Sequence, residues 1–315
     1  MAPYTQRIGT YLRIERRPSL RNPILVAAFR GWNDGAQGAS LAASFLAQAW
    51  EARRFADVDP EEFFDFQAVR PHVALEGGVT RRISWPETVF YHGTVPATER
   101  DAVLVLGFEP NLRWRTFTAE IVELAQELGV QLVVTLGALL ADVPHTRPAP
   151  VTGSASDPNL VEELGLAASR YEGPTGIVGV LHDACRAAGM PSASLWAAVP
   201  HYASLAASPK AALALCTRLG DLLGTEIELD DLERAADAYE QQVSEAVASD
   251  EETEAYVQEL ERRRDALGEE LDVPSGDALG EELDVPSGDS LAAELTRFLQ
   301  EHEARRKEEE EADDS

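Results

Sequence analysis

A compact polar turn at residues 30–35 carries side chains that suit ligand binding. The turn reads Arg30-Gly31-Trp32-Asn33-Asp34-Gly35 and directly follows the apolar run 24–29. Arg30 offers a guanidinium for an anion, while Asn33 and Asp34 can hydrogen-bond hydroxyl or amide groups. The same turn also fits a structural role, because Asn or Asp before a helix caps it and glycine permits positive φ. Both interpretations stay open from the sequence.

A second group of polar side chains lies on the long segment 141–159 and at the following strand end. His145, Arg147 and Thr152 have the chemistry to bind phosphate or ribose, and His201 could line the same cleft. Connections of this length in compact domains are usually functional or disordered. Equally, Ser/Thr-rich loops form local turns, and His201 with its neighbour could be a buried aromatic corner. The candidate ligand- or partner-binding residues are therefore Arg30, Gly31, Trp32, Asn33, Asp34, His145, Arg147, Thr152 and His201.

The sequence contains no assembled catalytic machinery. The G-x-G element of dinucleotide sites and the lysine of a P-loop are both missing. No G-x-S-x-G nucleophile turn and no histidine spacing typical of zinc sites is present. Cys185 and Cys216 are far apart and lie in apolar, helix-like surroundings, which disfavours a disulfide framework. We therefore expect no catalytic residue, no metal and no cofactor.

The charge of the protein is unevenly distributed. The net charge is -28, with 19 basic and 23 acidic side chains in residues 1–225 but 8 and 32 in residues 226–315. A nucleic-acid-binding protein needs a basic surface to displace counterions, and anionic membranes demand the same. No apolar run is long enough to span a membrane, and the N-terminus has no signal-peptide core. These observations exclude nucleic acid and membranes as expected partners and predict a cytoplasmic protein.

The elements that position the candidate residues alternate between strands and helices. Apolar runs at 24–29, 102–108, 132–137 and 194–199 predict buried strands, with helices between and after them at 36–50, 114–128 and 209–223. The helix at 114–128 joins two such strands, which predicts a parallel, right-handed crossover. Alternation of apolar and polar residues predicts another strand at 63–69, and residues 141–159 are predicted as a long polar connection. The pattern is typical of an α/β protein.

From residue 230 onward the periodic segments are helical and acidic. Helices predicted at 232–247 and 252–267 form an antiparallel pair outside the sheet. The twelve residues 265–276 are then repeated without change at 277–288, each copy ending in Pro-Ser-Gly, a turn signal. We predict an α/β domain at 1–225, an acidic helical appendage at 226–302 with the duplicated linker at 265–288, and a disordered acidic tail at 303–315.

Several runs of the sequence resemble the proteasome assembly chaperone 2 family, in its actinobacterial branch. The resemblance rests on the turn at 29–34 followed by a helix of small residues, and on the runs 150–158, 171–177 and 195–202. It covers roughly residues 8 to 302 in the same order. The resemblance implies a three-layer α/β/α domain like that of nucleoside phosphorylases and hydrolases, with a helical C-terminal appendage. It also implies homo-oligomers, with a trimer as the expected form, and a proteasome-related protein partner, because eukaryotic members help to assemble proteasome α-subunits.

Two hypotheses on function follow. The first is a non-enzymatic assembly or chaperone-like protein that acts through protein–protein contacts. It rests on the missing catalytic constellation and on the acidic helical appendage. The alternative is a small-molecule binder or an enzyme of the nucleoside phosphorylase or hydrolase type. That protein would use a polar cleft at the strand ends, where α/β folds bind ligands.

Overall fold

A nine-stranded mixed sheet forms the centre of the protein. The computed structural model describes residues 6–8, 11–77, 80–155, 158–163, 166 and 172–267. The strands are β1 (Gln6–Ile8), β2 (Leu12–Ile14), β3 (Ile24–Arg30), β4 (Arg53–Val58), β5 (His72–Glu76), β6 (Thr80–Ser84), β7 (Thr88–Thr94), β8 (Asp101–Phe108), β9 (Leu132–Ala141), β10 (Val151–Ala155) and β11 (Ser192–Pro200). The large sheet has the order β1-β2-β4-β7-β8-β3-β9-β11-β10, and β5 and β6 pair separately as a hairpin.

The four central strands of the sheet are parallel. β3 pairs with β8 on one side and with β9 on the other, and β9 pairs with β11. Residues 24–29 of β3 are at most 1% exposed, as expected of a strand covered on both faces. The apolar runs thus correctly predicted these strands, and β8 and β9 are parallel as expected, with β3 between them. Their carboxyl ends meet at one edge of the sheet, which we call the carboxyl edge.

Helices cover both faces of the sheet. α1 and α5 pack with one apolar cluster that includes alternate residues of β3, and α2 and α4 pack with the other. This arrangement confirms the expected three-layer α/β/α architecture. The helices are α1 (Gly38–Ala49), α2 (Trp114–Glu127), α3 (Pro158–Glu163), α4 (Ile177–Ala187), α5 (Pro209–Leu223), α6 (Asp230–Val247) and α7 (Glu251–Leu267).

Two local predictions were wrong. Residues 63–69 form no strand: Asp59 caps a short 3-10 turn that begins at Pro60, and Phe63 and Phe64 are buried in the core. The apolar residues of this segment therefore anchor a loop instead of alternating along a sheet. The connection 141–159 was predicted without a strand, yet it contains β10, which pairs antiparallel with β11.

The C-terminal helices pack on the α/β body through a few apolar side chains. Leu232, Ala236 and Tyr239 of α6 are buried, as are Val257 and Leu260 of α7. The described residues all belong to one compact unit, residues 1–276. Most of the duplicated linker and the whole predicted tail lie outside the described residues. In the part of the protein that is described, no helix is long and apolar enough to cross a lipid bilayer.

Candidate functional site

Asp34 holds the start of α1 from within the polar turn. Its Oδ1 accepts hydrogen bonds from the backbone N–H groups of Ala39 at 2.9 Å and Ser40 at 3.0 Å. The residue is only 7% exposed, and this burial raises the pKa of the Asp34 carboxyl above its usual range. Asp34 thus stabilises the helix N-terminus, the role that the structural interpretation of the turn assigned to it.

Glu109, which directly follows the neighbouring strand β8, is hydrogen-bonded to the polar turn. Its Oε2 accepts from the Trp32 N–H at 3.2 Å, and its Oε1 accepts from Asn33 Nδ2 at 2.9 Å. Oε1 also accepts from the Ile177 N–H at 2.7 Å, at the first residue of α4. One carboxylate therefore joins β3, β8 and α4. We call Trp32, Asn33, Glu109, Gly176 and Ile177 the Glu109 cluster.

Two glycines make this close packing possible. Gly31 has a φ of +142°, and a Cβ there would lie 2.9 Å from the Cβ of Glu109. A Cβ at Gly176 would lie 2.2 Å from Asn33 Nδ2 and 2.7 Å from Glu109 Oε1. Any larger residue at either position would displace the groups that bind the carboxylate. Gly31 is thus needed for backbone conformation and for space, whereas Gly176 is needed for space alone.

Arg30 and the Trp32 side chain remain on the surface. The Arg30 side chain is exposed and its guanidinium lies over the Phe108 ring, 5.7 Å from the ring centroid. Trp32 is 62% exposed even though its backbone N–H is bonded within the cluster. A depression of about 550 Å3 lies beside Arg30, and Phe108, Pro110 and Trp114 contribute to its lining. In the polar turn, the side chains of Asn33 and Asp34 are therefore buried, whereas those of Arg30 and Trp32 are exposed.

His145 connects the end of β9 to α6. It is 3% exposed, and its Nδ1 lies 2.9 Å from the Tyr202 hydroxyl while its Nε2 lies 2.9 Å from Ser244 Oγ. The Tyr202 hydroxyl also accepts a hydrogen bond from the His145 backbone N–H at 2.8 Å. Both ring nitrogens therefore have a hydroxyl partner in the neutral form of the imidazole. Burial lowers the pKa of His145 and favours this neutral form.

Arg147 and His201 make further contacts with α7. The Arg147 guanidinium donates two hydrogen bonds to Asp265, at 2.9 and 2.8 Å, which raises the pKa of Arg147. The His201 ring packs edge-on against Tyr256, with ring centroids 5.5 Å apart, and its Nδ1 lies 3.2 Å from Asp142 Oδ1. We call this set the appendage junction; it comprises His145, Arg147, His201, Tyr202, Ser244, Tyr256, Glu261 and Asp265.

The remaining candidate, Thr152, lies on the sheet edge. It is in β10 opposite Trp196 of β11, and its hydroxyl donates to the Trp196 carbonyl at 3.5 Å. The candidate residues therefore fall into three groups: those of the turn, those of the appendage junction and Thr152 by itself. The rings of His145 and His201 both pack edge-on against Tyr202, at centroid distances of 5.8 and 5.7 Å, but His201 is exposed, so the corner is not buried as a whole.

Sequence reasoning missed Glu109, which holds the turn together. Arg30 ends β3 and Glu109 directly follows β8, so each is the first polar residue after an apolar run. A polar residue at a second strand end was therefore a usable signal. Its partners are 68 to 77 residues away in sequence, so the contacts themselves could not be read from spacing.

The described residues offer little for covalent or metal chemistry. Among them, no group of three or more His, Cys, Asp or Glu side chains could hold a metal ion. Cys185 and Cys216 are buried, which raises the pKa of Cys185 to about 11 and that of Cys216 to about 12. His182 bonds to Thr135 Oγ1 and Ser192 Oγ, both at 2.9 Å, and burial lowers its pKa to about 4. These groups pack and hydrogen-bond within the body.

Comparison with known proteins places these features in a family. The sequence model of the PAC2 family matches residues 28–247. A crystal structure of a PAC2 family protein from Streptomyces avermitilis is 48% identical; the match spans 75% of this protein and 99% of that one, with a TM-score of 0.68. A proteasome-assembly chaperone homologue from Mycobacterium tuberculosis is 46% identical, and the match spans 74% and 99% with a TM-score of 0.68.

A more distant M. tuberculosis protein of unknown function is 27% identical; the match spans 84% of this protein and 94% of that one, with a TM-score of 0.76. Comparison with the curated proteins gave no match. The Streptomyces and Mycobacterium structures both come from actinobacteria, as the resemblance to the actinobacterial branch led us to expect. The expected likeness to nucleoside phosphorylases is not addressed by these matches and stays a prediction.

Proposed function

Because the protein belongs to the PAC2 family, we propose that it is a non-enzymatic, chaperone-like assembly protein that acts through contacts with other proteins. Its proposed partner is proteasome-related, since a protein 46% identical to it is a proteasome-assembly chaperone homologue. The proposal rests on one observation, which concerns the polar side chains at the carboxyl edge of the sheet. Open α/β sheets bind small ligands at this edge, and here the polar groups of the edge bind one another.

The internal use of these groups argues against the enzyme alternative. Asn33, Asp34 and Glu109 face backbone N–H groups or each other, and His145 is enclosed between Tyr202 and Ser244. A general base must reach the proton that it abstracts, and these side chains are buried or hydrogen-bonded in the folded body; Asp34 Oδ2 has no hydrogen-bond partner among the described residues but is itself buried. The exposed side chains of the turn are those of Arg30 and Trp32, residue types enriched where proteins bind tightly to one another.

A binding experiment tests the partner. The full-length protein is mixed with isolated proteasome α-subunits from the same cell and examined by native mass spectrometry. We expect a stable complex. Because the protein has a net charge of -28, the mixture is repeated at about 0.5 M salt, where contacts between exposed charges are screened. The absence of a complex at both salt concentrations would overturn the proposed partner.

Thermal-shift screening tests the enzyme alternative directly. Nucleosides, sugar phosphates and nucleotides are added to the full-length protein, and a ligand at 100 times its Kd stabilises the fold by about 2.7 kcal/mol. We expect no shift from any of them. A clear shift that Arg30→Ala or Asp34→Ala removes would instead favour a small-molecule site.

We further propose that the protein forms homo-oligomers, with a second copy covering the β5–β6 hairpin. Every residue of both strands is exposed, and Val73, Leu75 and Ile83 share one face of the hairpin at 60%, 64% and 56% exposure. A two-stranded hairpin is marginal in water by itself. A stable interface buries about 800 Å2 per partner, so the hairpin face must be joined by further surface around it.

Light scattering during size-exclusion chromatography tests this assembly. We expect a mass that is a multiple of 34.3 kDa. Leu75→Asp, which places a charge on the apolar face, should reduce the mass to that of one protomer. Ala74→Asp is the matched control, because Ala74 lies on the opposite face of the same strand. A monomeric wild type, or equal dissociation by both variants, would contradict the proposal.

A further inference from the structure

We infer that the depression beside Arg30 binds a peptide segment in which an apolar side chain adjoins a carboxylate. This inference rests on the proposed function, because it specifies the kind of partner segment that the protein would hold. The carboxylate in this inference is that of an internal Asp or Glu, because exposed apolar side chains flank the depression on both sides; a free carboxyl terminus is the alternative that the experiment distinguishes. The depression lies at the carboxyl edge, between the loop after β8 and the segment at residues 68–69.

Apolar side chains form a large part of the walls of the depression. Val69, Phe108, Pro110 and Trp114 contribute to them, and the volume of about 550 Å3 is within the range of sites that accept small ligands. A side chain such as Leu or Phe that enters would lose water-exposed apolar surface, at roughly 25 cal/mol per Å2. The walls therefore favour an apolar side chain as the inserted group.

The walls are also held in place before any partner arrives. The N–H groups of Asn111 and Leu112 both donate to the Phe63 carbonyl, at 2.9 and 3.0 Å. Asn111 Oδ1 in turn accepts the Asp65 N–H at 2.9 Å, and the Trp114 indole donates to the Pro110 carbonyl. A depression that is already formed binds with a smaller loss of conformational entropy.

The charge at the rim points to a carboxylate. Arg30 is exposed, stacks on Phe108 and makes no ion pair with any residue that the structure describes. Glu109 is the acidic residue of the lining, and its two oxygens already accept three N–H groups. The guanidinium is therefore free to form a two-point contact with an incoming carboxylate.

Exposed apolar side chains extend the surface on both sides. Trp32 follows the lining residue Gly31 in the sequence and is 62% exposed, and Leu112 follows Asn111 and is 52% exposed. Together with Arg30 they give an arginine flanked by large apolar groups, the composition of an energetic centre in a protein interface. A peptide that continues beyond its inserted side chain would contact them.

Fluorescence polarisation with four labelled peptides tests the inference on the full-length protein. The first peptide ends in two leucines with a free C-terminal carboxylate, and the second is the same peptide amidated. The third is blocked at both ends and contains Leu-Asp-Leu, and the fourth replaces its Asp by Asn. We expect the third peptide to bind at least about tenfold more tightly than the fourth, as a charged hydrogen bond predicts. The preferred source of the carboxylate is read from which pair shows the difference.

Three variants establish where binding occurs. Arg30→Gln should weaken the charged peptide by about tenfold or more and leave the neutral peptide unchanged. Ala68→Trp fills the depression from an exposed position and should weaken both peptides. Arg100→Gln is the matched control, because it removes the same charge from an exposed residue at the opposite end of β8.

The outcomes separate this inference from the proposed function. If the Leu-Asp-Leu peptide binds no more tightly than its Asn counterpart, or if Arg30→Gln and Arg100→Gln have equal effects, the inference is overturned. Should the protein still bind proteasome α-subunits in that case, the proposed function stands without this site. If the peptides bind as expected while no α-subunit complex forms, the site stands and the proposed partner fails.

Discussion

The Glu109 cluster and the appendage junction lie along the same edge of the sheet and use polar residues differently. In the Glu109 cluster a single carboxylate gathers three N–H groups from inside the α/β body. In the appendage junction the partners of His145 and Arg147 come from α6 and α7, and the Arg147 ion pairs are half-exposed. The Glu109 cluster joins elements within the α/β body, whereas the appendage junction attaches α6 and α7 to that body. Residue types associated with catalysis can thus serve as joints, and the two joints should differ in strength.

The largest effect is expected when the central carboxylate of the Glu109 cluster is removed. Glu109→Ala leaves Asn33 Nδ2 and the first N–H of α4 without their acceptor, which should lower the free energy of unfolding by about 3 to 4 kcal/mol. Urea unfolding measures the loss. Glu123→Ala, at an exposed position of α2, is the control and should have almost no effect. A loss below about 1 kcal/mol would show that the cluster is not the stronger joint.

A pH effect of slightly smaller size is expected from His182, which attaches the middle of α4 to β9 and β11. Its pKa falls from 6.5 to about 4 on folding, so the unfolded state binds the extra proton. Above pH 6.5, His182 is neutral in both states and the free energy of unfolding is at its full value. Between pH 6.5 and 4 the unfolded state takes up the proton first, and the free energy of unfolding falls by about 3 kcal/mol in total. Unfolding followed by urea at several pH values should show this decline. His182→Gln should flatten part of it, and identical pH profiles for both proteins would contradict the assignment.

Gly176→Ala should destabilise the body by about 2 kcal/mol, because the new methyl group overlaps Asn33 and the carboxylate. A double-mutant cycle identifies the cause. In the Gly176→Ala background, Asn33→Ala should cost less than it costs in the wild type, since it removes one of the overlapping groups. Additive losses would mean that the methyl group disturbs something else.

The smallest global effect is expected at the appendage junction. Arg147→Ala removes the contacts with Asp265 and Glu261, and exposed ion pairs contribute little to global stability. Amide hydrogen exchange of α7 should nevertheless become faster, while exchange in β3 and β9 stays unchanged. Arg186→Ala, which breaks an exposed pair inside one helix, is the control and should leave α7 unaffected. Faster exchange throughout the body would contradict the distinction between the two joints.

How much of this architecture the sequence predicts depends on whether the determining contacts are local. β3, β8, β9 and β11 are continuous apolar runs, and α5 is marked by a Ser208 cap, Pro209 and a closing Gly224. These elements were therefore identified correctly. β4 and β10 were missed because their pairing depends on distant partner strands, such as β7 and β11.

The candidate residues show the same limit. The turn at 30–34 was singled out by residue type and by its position after a buried strand. Its internal role depends on Glu109, 76 residues away from Asn33. Arg147 likewise pairs with Asp265 across 118 residues. Residue types and local spacing indicated which side chains matter, whereas distant pairing decided what they contact.

The position of Asp34 and Glu109 at the starts of two helices affects the electrostatics of the carboxyl edge. A helix N-terminus carries a partial positive charge of roughly half an elementary charge, and phosphate groups commonly bind there. In this protein its own carboxylates already occupy those positions on α1 and α4. The helix dipoles are thereby neutralised from within. An anion that arrives at the start of α1 or α4 must therefore rely on side chains, and Arg30 at the end of β3 supplies an exposed guanidinium there.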